Sequence, residues 1–146
     1  MIEVQTRQRK VRFDLALFRQ RAGLVSRFTN VDDKEVACTL VSDPAIHELN
    51  RDYRGKDKPT DVLSFAQNEG EFADLNPDVL GDVIISVETA ERQREERTLL
   101  DEVTHLLIHG VLHLQGYDHE KDDEAEEMEA EERRVWAAVH STETGG

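Results

Sequence analysis

Long apolar runs are missing from this chain. No stretch of 18 or more apolar residues occurs, so a membrane-spanning helix is not expected. Cysteine is scarce as well. The single one, Cys38, has no partner in the chain, which excludes an internal disulfide. It lies in the apolar run "EVACTLV" and reads as a buried small hydrophobe. The first ten residues, "MIEVQTRQRK", hold no apolar signal core. A cytoplasmic protein is the expectation. Positive charge is in deficit too: the net charge of −14 argues against a general affinity for nucleic acid.

That deficit is uneven. Residues 1–60 carry 12 Lys and Arg against 9 Asp and Glu, whereas residues 61–146 carry 6 against 23. The first half therefore has room for a local basic surface. Hydrophobic residues make up 38% and charged residues 34%, a polar balance that still permits a core in a 146-residue chain. No internal repeat, low-complexity linker or domain break divides it, so residues 1–146 are expected to form a single domain.

Four segments read as strands: "IEVQT" near the start, "VACTLVS", "TDVLSFA" and "VLGDVIISV". Gly81 in the last marks a bulge or a close approach. A polar loop with Gly70, Asn76 and Pro77 separates the last two. Apolar residues at helical spacing run through "FDLALFRQRAGLV". "SDPAIHELNRDYRG" is a short helix, opened by Ser42 or Asp43 with Pro44 behind it and closed at Gly55. Another starts near Val87, capped by Ser86. A further one follows Thr98, where "TLLD" resembles a capping box with Asp in place of Glu. The segment 120–132 holds nine acids in thirteen residues. Even so, Met128, Val135, Trp136 and Val139 recur at helical spacing. A docked helix from 122 to 140 is expected, its acids mostly forming a solvated face. Interleaved strands and helices of this kind suggest α/β or α+β, with one small sheet of about four strands and helices packed on it.

The stretch "HLLIHGVLHLQGYDH", residues 105–119, gathers four of the six histidines. Placed at 100° steps, Leu99, Val103, Leu106, Leu107, Val111 and Leu114 share one broad sector of a helix. Glu102, His105, His109 and His113 share a narrow adjoining one. His109 and His113, four apart, fall on one side, near enough to share a metal ion. Gly116 lets the helix end with positive φ, and His119 follows three residues later. Three nitrogen ligands with an open position suit a catalytic zinc, one per chain, although nickel or copper would also accept imidazole. His105, one turn beyond His109, reads as a supporting or packing residue.

The spacing matches the metzincin pattern H-E-x-x-H-x-x-G-x-x-H at every ligand and at the turn glycine, but Gly110 stands where the glutamate base would be. Chemistry here then needs another base, for which Glu102 and Asp118 are the nearest carboxylates, or a metal-bound hydroxide acting largely alone. Upstream, "LNRDYRGKDKPTDVLSFA" places Arg51, Arg54, Lys56 and Lys58 before a strand. Such a cluster can clamp phosphodiesters.

Taken together, "RGKDKPTDVLSF", "LGDVIIS" and "HGVLHLQGYDH" followed by "DDEAEEM" resemble the YbeY family, bacterial single-strand-specific metallo-endoribonucleases of ribosomal RNA maturation. The resemblance covers roughly residues 47–136. It implies an α+β fold, a small mixed sheet with helices packed around it. It implies zinc on His109, His113 and His119, and a functional arginine at Arg54. It implies hydrolysis of single-stranded RNA, linked to 3′-end maturation of small-subunit rRNA and to ribosome quality control. The implied partners are rRNA, the small ribosomal subunit and its assembly factors. Either water or the RNA 2′-hydroxyl could be the nucleophile. Two alternatives stand beside this reading: a zinc peptidase, which Gly110 counts against, and a non-enzymatic ribosome-assembly factor with a structural metal.

Overall fold

The computed structural model describes residues 1–67, 78–118 and 120–145. The elements follow in the order β1 (Ile2–Thr6), α1 (Leu15–Phe28), β2 (Glu35–Val41), α2 (Asp43–Arg54), β3 (Val62–Ala66), β4 (Val79–Ser86), α3 (Val87–Gln93), α4 (Leu99–Leu114) and α5 (Asp122–Gly145). The loop expected around Gly70, Asn76 and Pro77 lies outside the described residues.

The four expected strands form one mixed sheet in the order β1-β2-β4-β3. β1 and β2 are parallel, as are β2 and β4, while β3 runs antiparallel to β4. This is the α+β architecture read from the sequence. β2 lies inside the sheet and is covered on both faces, which is why it reads as a nearly continuous apolar run. Its Cys38 is fully buried, as expected. The register between β2 and β4 slips beside Gly81, so the bulge is present. Gly81 also meets β3 closely: a Cβ there would stand 2.3 Å from the Phe65 carbonyl oxygen.

Alternation divides the strand residues between two layers. Val36, Cys38 and Leu40 of β2, with Val83 and Ile85 of β4, join the main core with Phe18 and Val25 of α1 and with α4 and α5. Val41 and Leu63 pack with Ile46 of α2 in a smaller cluster.

The helix termini explain their own boundaries. The Asp14 carboxylate accepts from the Leu17 amide at 3.1 Å and starts α1. Ser42 occupies the position before α2, but its side chain makes no capping bond. Glu88 of α3 supplies the acceptor instead, taking the Asp43 amide at 2.8 Å. The Thr98 hydroxyl caps α4 by accepting from the Asp101 amide. The expected capping box is only half of this arrangement. The Asp101 carboxylate turns away and binds Arg21 at 2.6 Å and His140 at 3.2 Å. Arg21, 8% exposed, also reaches Glu143, so α1, α4 and α5 are tied at one end.

α5 is docked as the spacing predicts, with Met128, Val135 and Val139 buried. It extends to Gly145, beyond the expected end at 140. α4 is more enclosed than its apolar sector implies. Thr104, Ile108 and Leu112 are buried as well, because α1 and α5 cover the flank away from the sheet.

Candidate active site

The C-terminal half of the narrow sector of α4, His109 and His113, faces an open cleft of about 600 Å³ bounded by β3 and the turn after α4. His109, His113, Ser64, Arg54, Gly116 and Asp118 are among its walls. Within it, Nε2 of His109 and Nε2 of His113 face each other at 3.0 Å. The helical spacing predicts this convergence. Gly116 has φ of 100°, so α4 ends in the left-handed turn expected there. His119 lies outside the described residues. Among the described residues no set of three metal-ligating side chains gathers. His109 and His113 are the described pair able to share an ion.

The other ring nitrogen of His109 is held from a distant element. His109 Nδ1 donates to Glu132 Oε1 of α5 at 2.7 Å. Burial pushes Glu132 up, but the His109 hydrogen bond and the neighbouring imidazoles outweigh it and hold the carboxyl below its usual range. Glu132 escaped the sequence reading because it sits in a run of acids. Its phase was the available signal, four residues after Met128 and three before Val135, on the docking row of α5.

Across the cleft, Arg54 ends α2 and bends over the outer edge of β3. It donates to the Ser64 carbonyl at 2.6 Å, and its guanidinium carbon lies 4.8 Å from the centre of the Phe65 ring. β3 is an edge strand, so the bond covers one exposed carbonyl while leaving the planar cation at the cleft. The other face of β3 meets α4. The Ser64 hydroxyl donates to the Gly110 carbonyl at 3.0 Å.

Gly110 has a second explanation here. A Cβ on it would stand 2.6 Å from Val83 Cγ1 and 3.2 Å from Ser64 Oγ. The position after His109 points into the sheet, and hydrogen alone fits. A glutamate base therefore has no room at this point of the helix.

The two candidate carboxylates separate. Asp118 lines the same cleft as Arg54 and the histidine pair. Glu102 is 6% exposed and lines an adjoining cleft of about 700 Å³, where Gln93 and Arg97 bind it at 2.8 and 3.3 Å. His105 lines that second cleft too, edge-on to Trp136 at 6.3 Å. Burial pushes its imidazole below the usual range, as fits the packing role expected of it.

The chain that carries this histidine pair and Arg54 is similar to a known set of proteins. The family model described as Endoribonuclease YbeY matches residues 2–140. The chain belongs to the endoribonuclease YbeY family. The Endoribonuclease YbeY of Geobacter sulfurreducens is 44% identical over 149 residues, covering 99% of this chain and 97% of that protein. The one from Syntrophus aciditrophicus is 40% identical, covering 95% and 89%. In structure the chain resembles the solution structure of TM1509 from Thermotoga maritima, with a TM-score of 0.66 at 29% identity, covering 99% of this chain and 93% of that one. The YbeY match spans every stretch that carried the resemblance, and it also takes in β1 and α1. Among the described residues no helix is long and apolar enough to cross a membrane.

Proposed function

We propose that this YbeY-family chain is a zinc-dependent endoribonuclease that cleaves single-stranded RNA in the cleft between α4 and β3. The observation that carries the reading is the facing Nε2 pair of His109 and His113 with Arg54 across the same cleft. The donor set suits zinc. The two imidazole nitrogens, within 3.0 Å of each other, would hold one ion between them. His119, three residues past the turn glycine, is assigned as the third ligand, giving one zinc per chain. When bound, the ion supplies Lewis-acid polarisation at the reacting phosphate or its nucleophile.

The chain's own residues divide the remaining work. The Arg54 guanidinium, fixed through Ser64 and Phe65, pairs with a non-bridging phosphate oxygen and stabilises the charge that builds during substitution at phosphorus. Asp118, which lines the same cleft, would take a proton from the nucleophile, whether water or a 2′-hydroxyl. Arg51, Lys56 and Lys58, exposed beside Arg54, extend the phosphate contact along a strand. The substrate proposed is rRNA at the 3′ end of the small subunit. The partners proposed are the small ribosomal subunit and its assembly factors, in the cytoplasm. Gly110, closed against Val83, counts against a peptidase.

The test uses wild type, Arg54→Glu and His113→Ala, each with single-stranded RNA and with casein, free of contaminating ribonuclease. RNA cleavage by wild type is expected, with kcat/KM lowered about 10²–10³-fold in Arg54→Glu and bound zinc lost in His113→Ala. Unchanged cleavage in Arg54→Glu removes the phosphate clamp. Full zinc in His113→Ala removes the ligand assignment. Cleavage of neither substrate by wild type would favour the assembly-factor reading.

A further inference from the structure

α5 is the most acidic element of the chain, yet one of its acids does not face solvent. Met128, Val135 and Val139 form its buried row. Glu132 falls on the same row and projects into the site, its side chain 17% exposed, with Oε1 2.7 Å from His109 Nδ1. It reaches His109 from α5 and is not among the walls of the cleft that hold Arg54 and Ser64.

The consequence follows from imidazole chemistry. A carboxylate can only accept, so the shared proton sits on Nδ1. A neutral imidazole then keeps its lone pair on Nε2, the atom that faces His113. The opposite tautomer would aim a proton at the place where a bare nitrogen is needed. The bond also fixes the ring's rotation about its χ angles, which the α4 backbone alone leaves open.

We infer that Glu132 is a positioning residue for the metal site: it selects the Nδ1–H tautomer of His109 and holds the ring so that Nε2 is presented to the ion. The inference rests on the zinc reading of the histidine pair. It gives the acidic C-terminal helix a task besides covering the core. Docking of α5 and competence of the metal site become one event, because the same helix face supplies both the apolar contacts and the carboxylate.

The experiment compares full-length wild type, Glu132→Gln, Glu132→Ala and Glu126→Ala. Zinc affinity is read by competition with a chromophoric chelator. The His109 tautomer is read from imidazole nitrogen shifts in the zinc-free chain. Glu126→Ala removes the same charge from the exposed face of α5. Glu132→Ala should weaken zinc about 10–100-fold and lose the pure Nδ1–H form. Glu132→Gln can still accept from Nδ1–H and should fall in between, whereas Glu126→Ala should match wild type. Circular dichroism establishes that each variant retains its helices. Zinc affinity equal to wild type in folded Glu132→Ala overturns the assignment, and so does a wild-type His109 protonated on Nε2. If wild type itself holds zinc no better than His109→Ala, the zinc reading is what fails, and the tautomer in the zinc-free chain still decides whether Glu132 sets the ring.

Discussion

The Ser64 hydroxyl and the Gly110 carbonyl are joined at 3.0 Å, and this bond fastens the two halves of the site to each other. Ser64 uses its carbonyl to hold Arg54 and its hydroxyl to hold the turn of α4 that lies between His109 and His113. The separation between arginine and imidazoles is thus set through one residue of an edge strand. Ser64→Ala should lower stability by about 0.5–1.5 kcal/mol, the usual net worth of such a bond. Urea unfolding checks this, and a change in midpoint without a change in slope is the expected form.

Gly110→Ala tests the closeness of helix and sheet. Alanine is the better helix former by about 0.8–1 kcal/mol. Against that, its methyl would meet fully buried Val83 at 2.6 Å, and such overpacking costs about 1–3 kcal/mol. The clash should win, giving net destabilisation of about 1 kcal/mol. The pair Gly110→Ala with Val83→Ala should lose less than the sum of the single losses, since the smaller partner makes room. Strict additivity in denaturant melts would contradict this.

Acid stability should depend on Asp43. Burial raises its carboxyl, but hydrogen bonds from Ser86, Thr89 and Arg92, with the Arg92 charge, outweigh this and hold it below the usual value. A group lowered in the folded state contributes fully above its unfolded value of about 3.9. That contribution disappears as pH falls through the lower folded value. Asp43→Asn should therefore be less stable at neutral pH, and its difference from wild type should shrink below about pH 4. Unfolding free energies measured from pH 6 downward provide the comparison; a constant difference would count against it.

Cys38 should be chemically silent in the folded protein. It is fully buried, and burial pushes its thiol up to about 12. Thiolate is the reactive form, so a thiol-specific reagent at pH 8 should label the folded chain only as fast as β2 opens. In guanidinium the same thiol should react at once. Rapid labelling without denaturant would show that β2 is less protected than its packing implies.

Periodicity and turn chemistry made the local parts of this molecule readable. The α4 sector, the Gly116 turn and the docking face of α5 each depend on residues a few positions apart. What escaped depends on partners distant in the chain. Glu132 differs from its acidic neighbours only in phase, and its role needs α4 beside it. Asp101 imitates a capping box until Arg21, eighty residues away, claims its carboxylate. Gly110 reads as a missing base, and only the position of Val83 shows that no side chain fits. The enclosure of α4 was underread for the same reason, since α1 and α5 supply it from opposite ends of the sequence.

The bond from Glu132 to His109 also imposes an order in time. Synthesis delivers His109 and His113 before Glu132, which belongs to α5. While that helix is still being made, His109 lacks the carboxylate that accepts from its Nδ1. A nascent chain in this condition carries the residues of the site without their alignment, and acquires it only when Met128, Val135 and Val139 settle on the core.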